Sequence, residues 1–336
     1  MGFLLPTMDQ GKLDLQRDVV KNERRQRVDN VPYGRAYETL GAALYPSSHP
    51  YSWPTIGSMA DLSAATLEDV KQFFRTYYAP NNATLAIVGD FDPDSAKAWV
   101  RRYFGDLPRG RAIVRPTVAP ATLAAEKRLV YEDRVQVPRL YLRWPTVGVR
   151  SPDQYALDVL GSILAGPRTA RLTKALVYDR QMAANVSAGQ GTSEDVGTFG
   201  VTVTPRPGHT LTAIEAAVDS IVARVAAEGP TADELTRAKA GGEYQLVSGL
   251  ESPLAKAEIL LAGQVYHGDP NAFQKDLRGL QGVTAADVKR VATRYLTNRR
   301  IVLSVVPLGK RDMASKPEAS TPVGTTTTSS ATEVRP

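Results

Sequence analysis

Three histidines, His49, His209 and His267, are the chain's only imidazoles, and no two lie close enough in sequence to form a local metal motif. Cysteine is absent, which excludes disulfides, thiol nucleophiles and cysteine-ligated metal. The sequence holds no His-x-x-Glu-His, no Gly-x-Ser-x-Gly and no glycine loop of the kind that cradles phosphate. His49 sits between Ser48 and Pro50 in an aromatic loop, His209 follows Pro207-Gly208 at a helix start, and His267 precedes Gly268 at a helix end. Each reads as a turn or cap residue rather than a ligand. Glu23 is the carboxylate of interest. It lies in Leu15-Gln-Arg-Asp-Val-Val-Lys-Asn22-Glu23-Arg-Arg-Gln26, and from that helix alone it reads as a surface glutamate pairing with Arg27 one turn on.

The elements that must position these residues are organised by one internal repeat. Thr66 to Tyr77 and Thr284 to Tyr295 share Thr, Asp, Val, Lys and Tyr in register at an offset of 218 residues, and an apolar run follows each, at 83–88 and 301–306. Both blocks read as a capped helix feeding a strand. Two copies so far apart predict two related domains, not a solenoid. The second copy has about 155 residues of its own domain ahead of it and the first only 65, which leads to the expectation of roughly ninety residues missing ahead of Met1.

A charged helix is predicted from Leu13 to about Asn30, a second over Arg35–Leu44, then an irregular proline loop through Pro46–Pro54. Thr66 caps the next helix, whose Phe73, Phe74 and Tyr77 are expected to form its core face, and 83–88 should be a buried strand before a helix over Pro93–Phe104. Residues 128–131 and 139–144 suggest paired strands, with Tyr141 and Arg143 alternating against Leu140 and Leu142. Helices at 155–164 and 170–178, strands at 184–189 and 197–204, three or four helices from Thr210 to Leu296 and a last strand at Ile301 complete an α+β order.

The composition, 43% hydrophobic and 23% charged, supports real cores in 336 residues. No apolar run is long enough to cross a bilayer, and the first residues lack the basic start of a signal peptide. A net charge of +6 with interleaved acids fits a solvated surface better than nucleic-acid binding.

The Glu23 helix, Asp29-Asn-Val-Pro-Tyr-Gly34, His49-Pro-Tyr51, Asp69-Val-Lys-Gln-Phe-Phe, Tyr77-Tyr-Ala-Pro-Asn81 and Ile87-Val-Gly-Asp-Phe-Asp92 resemble the M16 (insulinase-like or pitrilysin-like) zinc metallopeptidases, and Gly166-Pro-Arg-Thr-Ala-Arg171-Leu looks like a small-residue stretch of that family's second domain. The resemblance reaches to about Val306 and implies two homologous α/β sandwich domains, the first incomplete at its start. The expected division is 1–107 for the rest of the first domain, 108–126 for a linker, 127–309 for the second domain and 310–336 for a disordered tail.

In that family an inverted His-x-x-Glu-His supplies two zinc ligands and the general base, and a later glutamate, matched here by Glu23, completes the site. Three protein ligands leave the fourth zinc position for a water whose pKa the metal lowers. A second family glutamate seven residues earlier is here Gln16, which keeps hydrogen bonding without the charge. The inverted motif itself is absent, so the chain alone is expected to bind zinc poorly and to be inactive. An Arg/Tyr pair that binds substrate in the family's second domain falls on Val177 and Ala184, which offer no side-chain donor to an oxyanion. The resemblance therefore implies the metal-bearing type of subunit in two-chain bacterial members. It would work with a partner carrying the Arg/Tyr pair and with extended peptides as substrates. The other possibility is a non-catalytic scaffold or substrate-binding subunit. Likeness to exported bacterial members suggests the periplasm.

Overall fold

The computed structural model describes residues 8–115 and 117–324. At its centre is a six-stranded mixed sheet built from β1 (Lys127–Asp133), β2 (Arg139–Val147), β3 (Ala183–Thr192), β4 (Val196–Pro205), β5 (Ile301–Pro307) and β6 (Thr321–Pro322), in the order β3-β4-β2-β5-β1-β6. β1 runs parallel to β5 and β6, while the β2–β4, β2–β5 and β3–β4 pairs are antiparallel. The expected β1–β2 pairing is corrected: β5 lies between them and bonds to both. The reason is in its residues, because Ile301–Val306 is buried throughout and a strand apolar on both faces belongs inside a sheet.

Strand alternation divides the core. Leu140, Leu142 and Trp144 face a layer made of α6 (Asp153–Leu164), α7 (Leu211–Glu228) and α11 (Ala285–Tyr295), whereas Tyr141, Leu303 and Val305 face α2 (Ala36–Leu44) on the opposite side. Leu40 and Leu44 of α2 lie against those residues, so the chain before β1 covers part of the second face. Each large apolar side chain buried in these layers is worth about 1.5–3 kcal/mol. Five helices, not three or four, occupy the stretch from Thr210 to Leu296, because Ser252-Pro253 starts a new helix and Gly268, in a left-handed conformation, ends its π-helical extension.

The first half departs most from expectation. α1 (Gln10–Arg24), α2, α3 (Met59–Ala64), α4 (Leu67–Tyr77) and α5 (Pro93–Phe104) form, and the Thr66–Asp69 capping box is present. The strand expected at 83–88 does not: among the described residues before Lys127 there is no strand at all. That run has no partner backbone to bond, and Leu85 and Ile87 are exposed. The core face assigned to Phe73, Phe74 and Tyr77 is likewise corrected, since Phe73 is 52% and Tyr77 43% exposed and the rings pack mainly on one another. A two-domain pair of sandwiches is thus realised as one sheet among the described residues.

Residues from Lys310 were expected to be disordered, and the ordered path to Gly324 corrects this, while 325–336 lie outside the described residues. The segment is held by specific bonds. Ser315 N donates to Ser304 Oγ at 3.0 Å, Val323 N donates to the Val130 carbonyl at 2.9 Å, and Ala314 enters the core. Ser315 Oγ also donates to Glu215, which ties this segment to α7.

Candidate functional site

Glu23 sits near the end of α1, where Arg24 fixes the helix. Arg24 is buried, and its guanidinium donates to Glu38 Oε1 at 2.6 Å, Glu38 Oε2 at 2.9 Å and the Gly57 carbonyl at 2.7 Å. Hydrogen bonding to Glu38 raises the Arg24 pKa further, against the opposing effect of burial. A π-helical turn, Arg25–Asp29, follows at once and carries the chain towards Tyr33. Glu23 itself is 39% exposed at its side chain and pairs with Arg27 at 3.0 Å, the ordinary surface partner of the sequence reading. Gln16 is exposed on the same helix.

The ligand chemistry zinc needs is not assembled here. Among the described residues no group of three or more His, Cys, Asp or Glu side chains could hold a metal ion. His49 is buried in packing: Tyr51 N donates to its Nδ1 at 3.1 Å, its Nε2 lies 3.2 Å from the Ala119 carbonyl, and its ring stacks on Tyr45. His209 and His267 sit at a turn before α7 and at a helix end. The described residues therefore do not by themselves fit a zinc ion, since one glutamate already engaged by an arginine is a single ligand. Val177 is packed against the core, and Ala184 is exposed on β3 at a bulge.

What the fold does assemble is a cavity of about 490 Å³ between the turn after α1 and the face of the sheet opposite its helical layer. Arg27 stands at one side of it, so Glu23's partner belongs to the cavity wall. Tyr33 and Tyr37 form a second wall, and Arg139 and Tyr141 of β2 a third. Strand register places Thr202 opposite Tyr141, and Asn185 and Ser187 of β3 close the far side. Tyr33 adopts a left-handed backbone, φ 64°, strained for a bulky residue and held by three contacts. Its N–H donates to Asp133 at 2.7 Å, its hydroxyl donates to the Val137 carbonyl at 2.6 Å, and the Arg139 guanidinium stacks 3.7 Å from its ring centre. Gly34 follows because a Cβ there would overlap the Val28 carbonyl oxygen.

Matching these residues to a family adds context. The sequence pattern described as the peptidase M16 inactive domain matches residues 64–241. The chain belongs to this family. A zinc protease named PqqE from Helicobacter pylori is 28% identical over 288 residues, covering 83% of this chain and 63% of that protein. An uncharacterized zinc protease from Mycobacterium tuberculosis strain H37Rv is also 28% identical, over 88% of this chain and 67% of its own length. A crystal structure of a protease from Helicobacter pylori superposes with a TM-score of 0.82 at 25% identity, over 90% of this chain and 73% of that one. A peptidase M16 inactive domain from Pseudomonas fluorescens superposes with a TM-score of 0.78 at 22% identity, over 95% and 73%, and shows the shared fold. The chain spans less than two thirds of the Helicobacter relative's length. No helix among the described residues of this M16 chain is long and apolar enough to cross a membrane.

The chain holds a second cavity, about 770 Å³, between α6 and the helices after α7, with Asp158 and Asp276 in its lining. Tyr155 donates to Asp276 at 2.8 Å, whereas Asp158 lines the cavity with its side chain exposed to water, so solvent screens part of what burial does to it. Desolvation, and then the Asp276 charge, push the Asp158 carboxyl up to about 7 from 3.8. A raised folded-state pKa gives stability that is fully present below 3.8 and lost as pH rises through about 7. Asp158→Asn should therefore raise the melting temperature near pH 8, by about a degree or two because solvent screens an exposed carboxylate, and leave it nearly unchanged near pH 4, as thermal melts at the two pH values will show. Equal effects at both would place the strain elsewhere.

The sequence singles out Glu23 but not Tyr33, Tyr37 and Arg139, which wall the cavity beside it. The signal was present in Arg139-Leu-Tyr-Leu-Arg143, where a strand alternates core residues with two arginines and a tyrosine.

Proposed function

We propose that this chain is part of an M16-type zinc endopeptidase acting on extended peptides, with Glu23 as one zinc ligand and with no hydrolytic activity of its own. The observation that carries the reading is the Glu23 helix, which has the family's residues and borders the arginine- and tyrosine-walled cavity through Arg27. The two histidines and the general base must come from a His-x-x-Glu-His segment that the sequence lacks. With Val177 and Ala184 at the family's Arg/Tyr positions, the donors to a developing oxyanion must come from a partner subunit.

Elemental analysis of the purified chain should find no tightly held zinc, and a quenched-fluorescent peptide should stay uncut. With both a His-x-x-Glu-His segment and a partner subunit carrying the Arg/Tyr pair supplied, cleavage should appear, be abolished by a chelator and fall about tenfold or more in Glu23→Gln. Stoichiometric zinc in the chain alone, or cleavage indifferent to Glu23→Gln, would overturn the reading. A non-catalytic scaffold or substrate-binding subunit is the second reading. The Glu23–Arg27 ion pair and the donorless Val177 and Ala184 favour it, and failure of every reconstitution to cut peptide would select it.

A further inference from the structure

We propose that the cavity walled by Tyr33, Tyr37, Arg139 and Tyr141 is a binding site for a peptide carboxylate. The inference rests on the peptide-handling reading above for the choice of a peptide, but on independent geometry for the carboxylate.

Four arginines are buried among the described residues, Arg24, Arg128, Arg143 and Arg300. Three of them face carboxylates: Arg24 meets Glu38 at 2.6 Å, Arg128 meets Glu215 at 2.5 Å, and Arg300 meets Glu215 at 2.7 Å. Arg143, only 9% exposed, has no carboxylate partner among the described residues. Its donors go to the carbonyls of Leu142 at 2.8 Å and Val201 at 3.2 Å and to the Thr202 hydroxyl at 3.2 Å. Its guanidinium also lies 5.5 Å from the Tyr37 ring centre and 5.7 Å from that of Tyr141. Tyr37, Tyr141 and Thr202 all line the cavity, so an uncompensated positive charge lies just beneath its floor. A buried charge without a counter-ion is expensive, and a ligand anion brought to that floor relieves the expense. Burial lowers the pKa of Arg143, in keeping with a cation short of a partner.

Arg139 supplies the second cation at the surface of the cavity. Its Nε donates to Thr204 at 3.0 Å and its face rests on Tyr33, which fixes the planar group and leaves it without an ion-pair partner among the described residues. None of the residues lining the cavity is an Asp or a Glu. Planar, preorganised guanidinium groups match the planar carboxylate. A peptide is favoured over a small inorganic anion because β3, the outermost strand, forms one wall through Asn185 and Ser187. An edge strand offers main-chain donors and acceptors that an extended peptide can use and a phosphate cannot.

The test is fluorescence anisotropy on the full 336-residue chain with three dye-labelled tetrapeptides of one backbone: free C-terminus, C-terminal amide, and amide with one glutamate side chain. At least one carboxylate-bearing peptide should bind about tenfold or more tightly than the plain amide, and Arg139→Gln should erase that difference. Arg143→Gln should do the same, but because its site is buried the exposed-side variant Arg139→Gln carries the test, with circular dichroism confirming that it folds. Preference for either carboxylate supports the site and says whether it reads a chain end or an acidic side chain. Equal binding of all three peptides, a preference that survives Arg139→Gln, or tighter binding of inorganic phosphate than of any peptide would overturn it. The assay needs neither zinc nor cleavage, so failed hydrolysis and failed carboxylate binding can be told apart.

Discussion

Glu215→Ala should cost the fold about 3–5 kcal/mol, a large part of the 5–15 kcal/mol typical of a whole domain. Glu215 is 1% exposed on α7 and accepts from Arg128 at 2.9 and 2.5 Å, from Arg300 at 2.7 Å and from Ser315. Those partners come from β1, from the residue entering β5 and from the segment after it, so one carboxylate joins a helix to three parts of the chain. Burial alone would raise its pKa, but the hydrogen bonds from Arg128 and Ser315 and the two arginine charges outweigh burial and hold it below its usual 4.5. Removing it leaves two buried guanidinium groups around a void, and Glu126 and Asp219 at the rim can only partly compensate. Urea unfolding at pH 7 should show a lower midpoint at an unchanged slope. Because a depressed carboxylate pKa gives stability that is present above 4.5 and lost as pH falls through the folded-state value, the gap between the proteins should narrow in acid. A midpoint within experimental error of the native one would mean the network contributes specificity, not stability.

The legible and illegible parts of this molecule separate by the range of the interactions that form them. Caps are local, and Thr66–Asp69, Thr231–Glu234 and Thr284–Asp287 all form the reciprocal capping boxes their spacing allows. Strand existence was legible where apolar alternation was strong, but strand order was not. The nearly continuous apolar run at 301–306 marks a strand that belongs inside a sheet, but no local feature says that its two neighbours will be β1 and β2. The ordered path after Lys310 was illegible for the same reason, since a run rich in Ser, Lys and Pro gives no sign that Glu215, a hundred residues earlier, will bind Ser315.

The candidate site divides likewise. Glu23 could be singled out because its helix carries a recognisable run of residues, and its pairing with Arg27 follows from helical spacing. The cavity beside it draws on Tyr33, Tyr37, Arg139 and Tyr141, and on Thr202, which only the β2–β4 register brings opposite Tyr141. Arg143 shows the limit most clearly. Its alternation with Leu142 and Trp144 gives its face, but its lack of a carboxylate depends on every element packed against that face.

Val288→Asp should abolish cooperative folding, while the equivalent substitution in the repeat, Val70→Asp, should cost less than about 1 kcal/mol. The two valines occupy the same position in helices of the same length, Leu67–Tyr77 and Ala285–Tyr295, with the same cap, so local sequence assigns them the same role. Their surroundings differ. Val288 is fully buried in the core with Val291 and Ala292, and α11 packs on α6 and α7. Val70 is only half-buried, on a helix with no fully buried residue, and the apolar run after it lies outside any sheet. An aspartate at 288 would be an unpaired charge in a dry core, a change that exceeds the ordinary range of point mutations, whereas at 70 it stays in contact with water and costs little in helix propensity. Far-ultraviolet circular dichroism followed through urea titration measures both. Similar losses for the two variants would show that the first copy of the repeat is packed as tightly as the second. The expected contrast would show that the repeat encodes a helix in both places, and that a strand and a core follow only where β1 and β2 provide a sheet to join.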